Sequence, residues 1–254
     1  MATPMSVLPG LIRTEALKLG TTRFPAVLGG AVCAVTLVLA LQPVLRAGRD
    51  GTPSLGTVGA TLGVVDAMSR GALGALLLGI VIMTTEFRHQ TVTAALLSSP
   101  SRTAFLTAKA VTVTAAGLTL GLLALVIVVV VGAVPGAIRW DLLNGDIALH
   151  LVGLVLTYPL YGLLGLGVGA LLHRNQPLAI VLPAVWVLGL EGLALAGVPA
   201  SVAAWSVGGT TAALQNAAAM PGVLPVWLGG AALAGYGLVL LLAGLLRLNR
   251  TDLT

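Results

Sequence analysis

A run from Ala110 to Val134 without a single charged side chain constrains the fold of this chain more than any other feature. A helix of about 20 apolar residues is long enough to cross the hydrocarbon core of a bilayer. Similar runs recur along the sequence: only 8% of the residues are charged, 57% are apolar, and the mean hydropathy is +1.05. A soluble domain carries about 25% charged residues. The sequence therefore predicts an all-α membrane protein.

The apolar runs divide residues 1–254 into six predicted transmembrane helices within a single domain, and no polar block is long enough for a separate soluble domain. The predicted spans are Phe24–Leu45, Asp66–Thr85, Ala110–Val134, His150–Leu172, Pro177–Gly197 and Leu224–Leu246.

The distribution of basic residues predicts the orientation. Nine of the thirteen lysines and arginines fall on the side of the predicted spans that carries both termini. Because cytoplasmic loops are enriched in Lys and Arg, this places both termini of a multi-pass protein of the cell membrane in the cytoplasm. The same bias explains the net charge of +5 without a nucleic-acid partner.

Residues 8–23 precede the first span and are predicted to form an amphipathic helix lying on the membrane surface. Its charged residues are Arg13, Glu15, Lys18 and Arg23. Glu15 and Lys18 stand at i,i+3 and are expected to form a weak pair.

A second predicted feature is an apolar but interrupted segment, residues 198–223, before the last span. Pro199 and Gly208-Gly209 bracket a stretch too short to cross the membrane twice. We expect a re-entrant or surface hairpin on the outer side; a loosely ordered loop is the alternative.

A polar stretch from Glu86 to Lys109 lies between the second and third spans, in a chain otherwise poor in charge. The pair Ser99-Pro100 fits a helix N-cap followed by proline at the first helical position, so two short helices are expected. They form either an ordinary loop against the lipid headgroups or a docking helix for a partner protein.

Motifs for catalysis are absent from the sequence. No phosphate-binding loop, zinc-protease motif or cysteine pair occurs, since the chain has two lysines, neither preceded by glycine, and one cysteine, Cys33. We interpret His89, His150 and His173 as interfacial residues rather than metal ligands. The sequence therefore predicts no enzyme activity, no metal site and no cofactor in this chain.

One acid, Glu191, lies well inside a predicted span, where a carboxylate requires a partner or water. At about 1.5 Å per residue, Glu191 and Arg70 reach a similar depth, so an intramembrane ion pair is possible, with Asp66 as a competitor. A role for Glu191 in carrying substrate or protons is the alternative.

Small and aromatic residues give weaker signals. The pairs Gly117-x-x-x-Gly121 and Gly165-x-x-x-Gly169 permit close helix approach. Tyr158 and Tyr161 flank Pro159 and are expected to pack between helices or to line a cavity.

The polar stretch resembles the coupling loop of permease subunits from type-2 ATP-binding-cassette (ABC) exporters. The matching segment is E-F-R-H-Q-T-V-T-A-A-L-L-S-S-P-S-R, followed by Lys109. Gln90 departs from the family's usual glycine. The segment R-T-E-A-L-K-L-G-T-T-R also resembles the family's interface helix.

The resemblance implies an ATPase-coupling role for residues within 86–109, namely Glu86, Phe87, Arg88, His89, Thr91, Leu96, Pro100 and Arg102. It also implies that ATP and magnesium are bound by a separate cytoplasmic ABC ATPase, and that two permease copies form a dimer among membrane lipids. Export of a hydrophobic or amphipathic compound is the expected function. An ion- or proton-coupled transporter that uses Glu191 is the alternative.

Overall fold

The computed structural model is predominantly helical in the part of the chain that it describes, with turns between the helices and no strand there. The described residues are 4–49, 51, 53–88, 101–133, 145–186, 189, 191–194, 196–216 and 224–250. The first helices are α1 (Pro4–Thr21), α2 (Arg23–Arg46), α3 (Val58–Ser69), α4 (Ala72–Arg88), α5 (Arg102–Gly132) and α6 (Gly145–Leu171). They are followed by α7 (Gln176–Val185), α8 (Glu191–Ala194), α9 (Ala200–Ala203), α10 (Val207–Leu214) and α11 (Val226–Arg250).

Five helical segments of the described chain are long and apolar enough to cross a membrane, where the sequence predicted six spans. Their bounds are Pro25–Arg46, Val58–Arg88, Arg102–Gly132, Ile147–Leu171 and Val226–Arg250. The all-α class is thereby confirmed, the apolar helices indicate a membrane-embedded protein, and the ends of four predicted spans lie within about two turns of the ends of these segments.

The fifth predicted span, Pro177–Gly197, is described only in part, and its described residues are helical up to Ala194. They comprise α7, the π-helical residues Trp186 and Gly189, and α8. Residues 187, 188, 190 and 195 lie outside the described residues. In the segment predicted as an outer hairpin, α9 and α10 are present, and residues 217–223 lie outside the description.

Helix α5 begins two residues later than the sequence predicted. Ser101, not Ser99, is its N-cap, and the Ser101 hydroxyl accepts a hydrogen bond from the Ala104 amide at 3.1 Å. The side chain of Ser101 therefore satisfies one of the amide groups left without a partner at a helix start. Ser99 and Pro100 lie outside the described residues.

The second predicted span, Asp66–Thr85, is both longer and less regular than expected. It extends over Val58–Arg88, and it is divided into α3 and α4 at Arg70 and Gly71. The predicted span begins too late because about 20 residues are enough to cross a bilayer, and that length counted back from Thr85 reaches only Asp66.

The break between α3 and α4 is stabilised by a buried tyrosine from α6. The Gly71 amide donates to the Met68 carbonyl at 2.9 Å, and the Tyr158 hydroxyl donates to the same carbonyl at 3.0 Å. A Cβ atom at residue 71 would lie 2.6 Å from the Tyr158 hydroxyl and would also collide with Thr36. Glycine is therefore required where the two helix segments meet.

Helix α6 lies at the centre of the fold and packs against α4, α5 and α11. Both glycine pairs noted in the sequence lie at its contacts. In the first pair, a Cβ at Gly117 would lie 2.6 Å from the Pro159 Cα, and a Cβ at Gly121 would lie 2.5 Å from the backbone oxygen of Val155. In the second pair, a Cβ at Gly165 would overlap the carbonyl of Leu76. These helices approach so closely because their contact faces lack side chains.

We expect Gly165→Ala to destabilise the protein, because its methyl group would force α6 away from α4. Overpacking of this kind costs about 1–3 kcal/mol. Gly30→Ala is the matched control, since a Cβ at residue 30 has no neighbour within 4 Å. This substitution should not destabilise the protein, because alanine is more stable than glycine inside a helix. Thermal unfolding in detergent checks this; equal midpoints for the two variants would contradict the packing argument.

Candidate functional site

Two lysines and two glutamates form a closed cluster where α1 meets the last turns of α4 and the first turns of α5. Lys109 Nζ lies 2.8 Å from Glu15 Oε2 and 2.8 Å from Glu86 Oε1. Lys18 Nζ lies 2.7 Å from Glu15 Oε1 and 2.9 Å from Glu86 Oε1. Each ammonium group thus contacts both carboxylates, and we name these four residues the charge ring.

Three members of the charge ring are buried. Lys109 is 1% exposed and Glu15 and Glu86 are each 8% exposed, whereas the Lys18 side chain is 47% exposed. The two positive and two negative charges cancel. Cancellation is needed at this position because an isolated ionised group in apolar surroundings is strongly unfavourable.

The helix geometry explains how the ring assembles. Glu15 and Lys18 lie on one side of α1 at i,i+3, as the sequence predicted. Glu86 is in the last turn of α4, and Lys109 lies two turns into α5, above the ring of Phe105 at 5.0 Å. The charge ring therefore joins α4 and α5 to α1, which is distant from both in sequence.

The ring also sets the charge state of its two members on α1. Burial alone would raise the pKa of Glu15, but the ammonium groups of Lys109 and Lys18 outweigh it and hold the pKa below the ordinary value of 4.5. Burial would lower the pKa of Lys18, but Glu15 and Glu86 raise it above the ordinary value of 10.5. Both groups are charged across the neutral range.

Phe87 and Arg102, which the resemblance assigns to ATPase coupling, make internal contacts next to the ring. The Phe87 ring lies 4.4 Å from that of His173, which follows α6. The Arg102 guanidinium donates to the Leu248 carbonyl in α11. The start of α5 and the end of α4 are thus fixed to the ends of α6 and α11.

His173 is held neutral in this arrangement. Burial lowers its pKa below the ordinary value, and the charges of Arg247 and Arg174 lower it further. Its Nδ1–H donates to the Ala170 carbonyl at 2.8 Å. A neutral, oriented imidazole is consistent with a packing role against Phe87.

The other predicted coupling and interface residues fall into two groups. Arg13, Arg23 and Arg88 are exposed. Four predicted coupling residues lie outside the described residues, namely His89, Thr91, Leu96 and Pro100.

The predicted ion pair between Arg70 and Glu191 is not formed. The Glu191 carboxylate instead accepts a hydrogen bond from the Gly208 amide, with 2.7 Å between Oε1 and the nitrogen. Gly208 lies in the first turn of α10, where unpaired amides and the helix dipole favour an anion. Arg70 and Glu191 do line the same cavity, of about 490 Å³, at the other end of α4 from the charge ring.

Sequence reasoning found the local Glu15–Lys18 pair but missed the role of Lys109. A signal was present, because the chain contains only two lysines and Lys109 follows directly on apolar residues inside a helix. A lysine in such a position indicates an acidic partner. Which acid serves as the partner depends on packing between distant segments.

No family model matches this chain, and no curated protein is significantly similar to it. The class that the fold defines is therefore a multi-span helical membrane protein with a buried charge cluster at one end of its long helices.

We expect Lys109→Met to destabilise the protein strongly, because it leaves two buried carboxylates with only the half-exposed Lys18. Breaking a buried ion pair costs about 3–5 kcal/mol. Lys18→Met is the matched control, and its effect should be smaller because exposed ion pairs contribute about 1 kcal/mol or less. The measurement is the thermal unfolding midpoint of each variant. A larger loss for Lys18→Met than for Lys109→Met would refute this ranking of the two lysines.

The contribution of Glu15 to stability should depend on pH. A carboxylate whose pKa is lowered in the folded state stabilises that state above its unfolded value, and the contribution is lost as pH falls through the folded pKa. The unfolding midpoints of the wild type and Glu15→Gln should therefore differ at pH 7 and approach each other as the pH falls below the ordinary value of 4.5 and through the lower folded pKa. A difference that stays constant over this range would show that Glu15 acts through packing alone.

Proposed function

We propose that this chain is the membrane-spanning permease subunit of an ATP-driven ABC exporter, and that the charge ring transmits force from an ATPase partner into the spans. One observation carries the proposal. The ring joins α1, the end of α4 and the start of α5, the two helices between which the coupling-like segment 89–100 runs.

A subunit that receives mechanical work needs a firm connection between the contact point and its spans. Buried, charge-neutral ion pairs provide this, because a displaced partner would leave an unpaired charge. Phe87 and Arg102 add further contacts on both sides of the segment. Movement of residues 89–100 would accordingly displace α1, α4 and α5 together.

The same proposal includes six spans, cytoplasmic termini in the cell membrane, and a dimer of permeases. The excess of basic residues at the ring end of the helices supports the orientation. Large apolar side chains on the faces of α2 and α5 that point away from the helix bundle are exposed in the single chain, among them Val27, Val38, Val126 and Val130. Lipid tails or a second copy would cover them.

The proton-coupled alternative has one observation in its favour, since Glu191 lines a polar cavity. The two functions differ in their energy source. Transport in vesicles that persists without any ATPase and is abolished by Glu191→Gln would support the alternative and refute the exporter.

The exporter is tested by charge reversal at the exposed Arg88. The chain is co-expressed with each ABC ATPase of its own genome, and complexes are identified by co-purification and by ATP-dependent transport. We expect one ATPase to bind the wild type and Arg88→Glu to weaken the complex at least tenfold. Arg49→Glu, at an exposed arginine predicted to lie on the opposite side of the membrane, is the control. If Arg88→Glu binds the ATPase as tightly as the wild type does, the docking role is contradicted.

A further inference from the structure

The cavity at the end of α4 opposite the charge ring is lined by several hydrogen-bond acceptors. It has a volume of about 490 Å³ and lies among residues of α3, α6, α8 and α10. That volume is in the range of sites for small molecules. Several hydroxyl groups in the lining already donate their protons to the protein, and this determines which kind of ligand the cavity can bind.

Three hydroxyl groups at the cavity have committed their protons to the protein. The Ser69 hydroxyl donates to the Asp66 carbonyl at 2.6 Å, and the Thr211 hydroxyl donates to the Val207 carbonyl at 2.7 Å. Thr211 can therefore only accept from Tyr161, whose hydroxyl lies 3.1 Å away. The oxygens of all three residues are left with lone pairs and no proton to offer.

Gln215 provides a further acceptor, and its orientation follows from the same argument. The Thr157 hydroxyl donates to the Gly153 carbonyl at 2.7 Å, so it accepts from Gln215 Nε2 at 3.2 Å. The amide oxygen must therefore be directed away from Thr157. Gln215 is fully buried and lines the cavity, and no group among the described residues donates to its Oε1. A buried acceptor without a donor is unfavourable.

The charges at the cavity favour the same kind of ligand. Two carboxylates, Asp66 and Glu191, face one guanidinium, Arg70, which gives a formal charge of −1. Glu191 is 7% exposed, and its Oε1 accepts from the Gly208 amide. Leu73 and Ala212 supply apolar lining.

We propose that this cavity binds the primary ammonium group of an amphiphilic amine. An ammonium group brings three N–H donors and a positive charge, which matches a site rich in acceptors with a net negative charge, and the apolar lining accommodates the adjoining carbon chain. Glu191 and Gln215 are the main recognition groups, and Arg70 opposes binding by like-charge repulsion. That the amine is the transported cargo rests on the proposed function; the binding site itself does not.

Binding is measured by calorimetry on the purified chain in nanodiscs, with no ATPase present and with empty nanodiscs subtracted. The probes are n-hexylammonium, hexyltrimethylammonium, which keeps the charge but has no N–H donor, and neutral 1-hexanol. We expect n-hexylammonium to bind at least about tenfold more tightly than either of the others, the effect of losing one charge-assisted hydrogen bond. Equal binding of n-hexylammonium and either other probe would overturn the proposal.

Two substitutions give opposite expected effects. Glu191→Gln keeps an oxygen that can accept from Gly208 but removes the charge, and should weaken n-hexylammonium binding at least about tenfold. Arg70→Gln removes the opposing charge and should tighten it. General loss of folding cannot produce tighter binding, so weakening by both substitutions would also overturn the proposal. If the amine binds as expected but ATP-dependent transport fails, the site stands and the exporter function falls.

Discussion

The ion pairs of Lys109 with Glu15 and Glu86 are the interactions on which the arrangement of this end of the molecule depends. A lysine that is 1% exposed remains charged only if acidic groups contact it directly. Those groups come from α1 and α4, so the position of α1 against the spans is set by electrostatics as well as by apolar contact. Lys18 supplies the second positive charge of the ring from the solvent side, and because its side chain is half-exposed its ion pairs contribute less than those of Lys109.

Close backbone packing around α6 has a comparable role in the middle of the molecule. Hydrophobic burial gives helices in a bilayer little reason to associate, because lipid tails are as apolar as their side chains. Close contacts between backbones, such as those of Gly117 with Pro159 and Gly165 with Leu76, hold the helices together in place of that hydrophobic driving force. The same close approach places the Tyr158 hydroxyl at the carbonyl of Met68, so the break in the second span has its own hydrogen bond.

The parts of this fold that hydropathy determines could be predicted, and the parts that tertiary contacts determine could not. The predicted first span, Phe24–Leu45, agrees with α2 to within one residue at each end, because its bounds follow from composition. The i,i+3 pair of Glu15 and Lys18 was likewise local. Lys109 and Glu15 are 94 residues apart, and nothing in a single sequence brings them together. Arg70 and Glu191 do line one cavity, as their similar predicted depth suggested, but the Glu191 carboxylate accepts from the backbone amide of Gly208, a contact that side-chain charges alone do not indicate.

Helix α4 links the two polar regions of the molecule. It runs 17 residues, about 25 Å, from the break next to Arg70 to the charge ring at Glu86. Along this length Gly79 fits against the α6 backbone, and Gly165 of α6 fits against the backbone of Leu76, so α4 cannot bend independently of α6. A force applied at Glu86 would therefore displace α4 as a rigid body, and the movement would reach the other end at Gly71. There the helix is already interrupted, so the change is concentrated between α3 and α4, beside the cavity that contains Arg70. In an exporter, this geometry would convert work received by residues 86–109 into a change of the acceptor-lined site without unfolding any span.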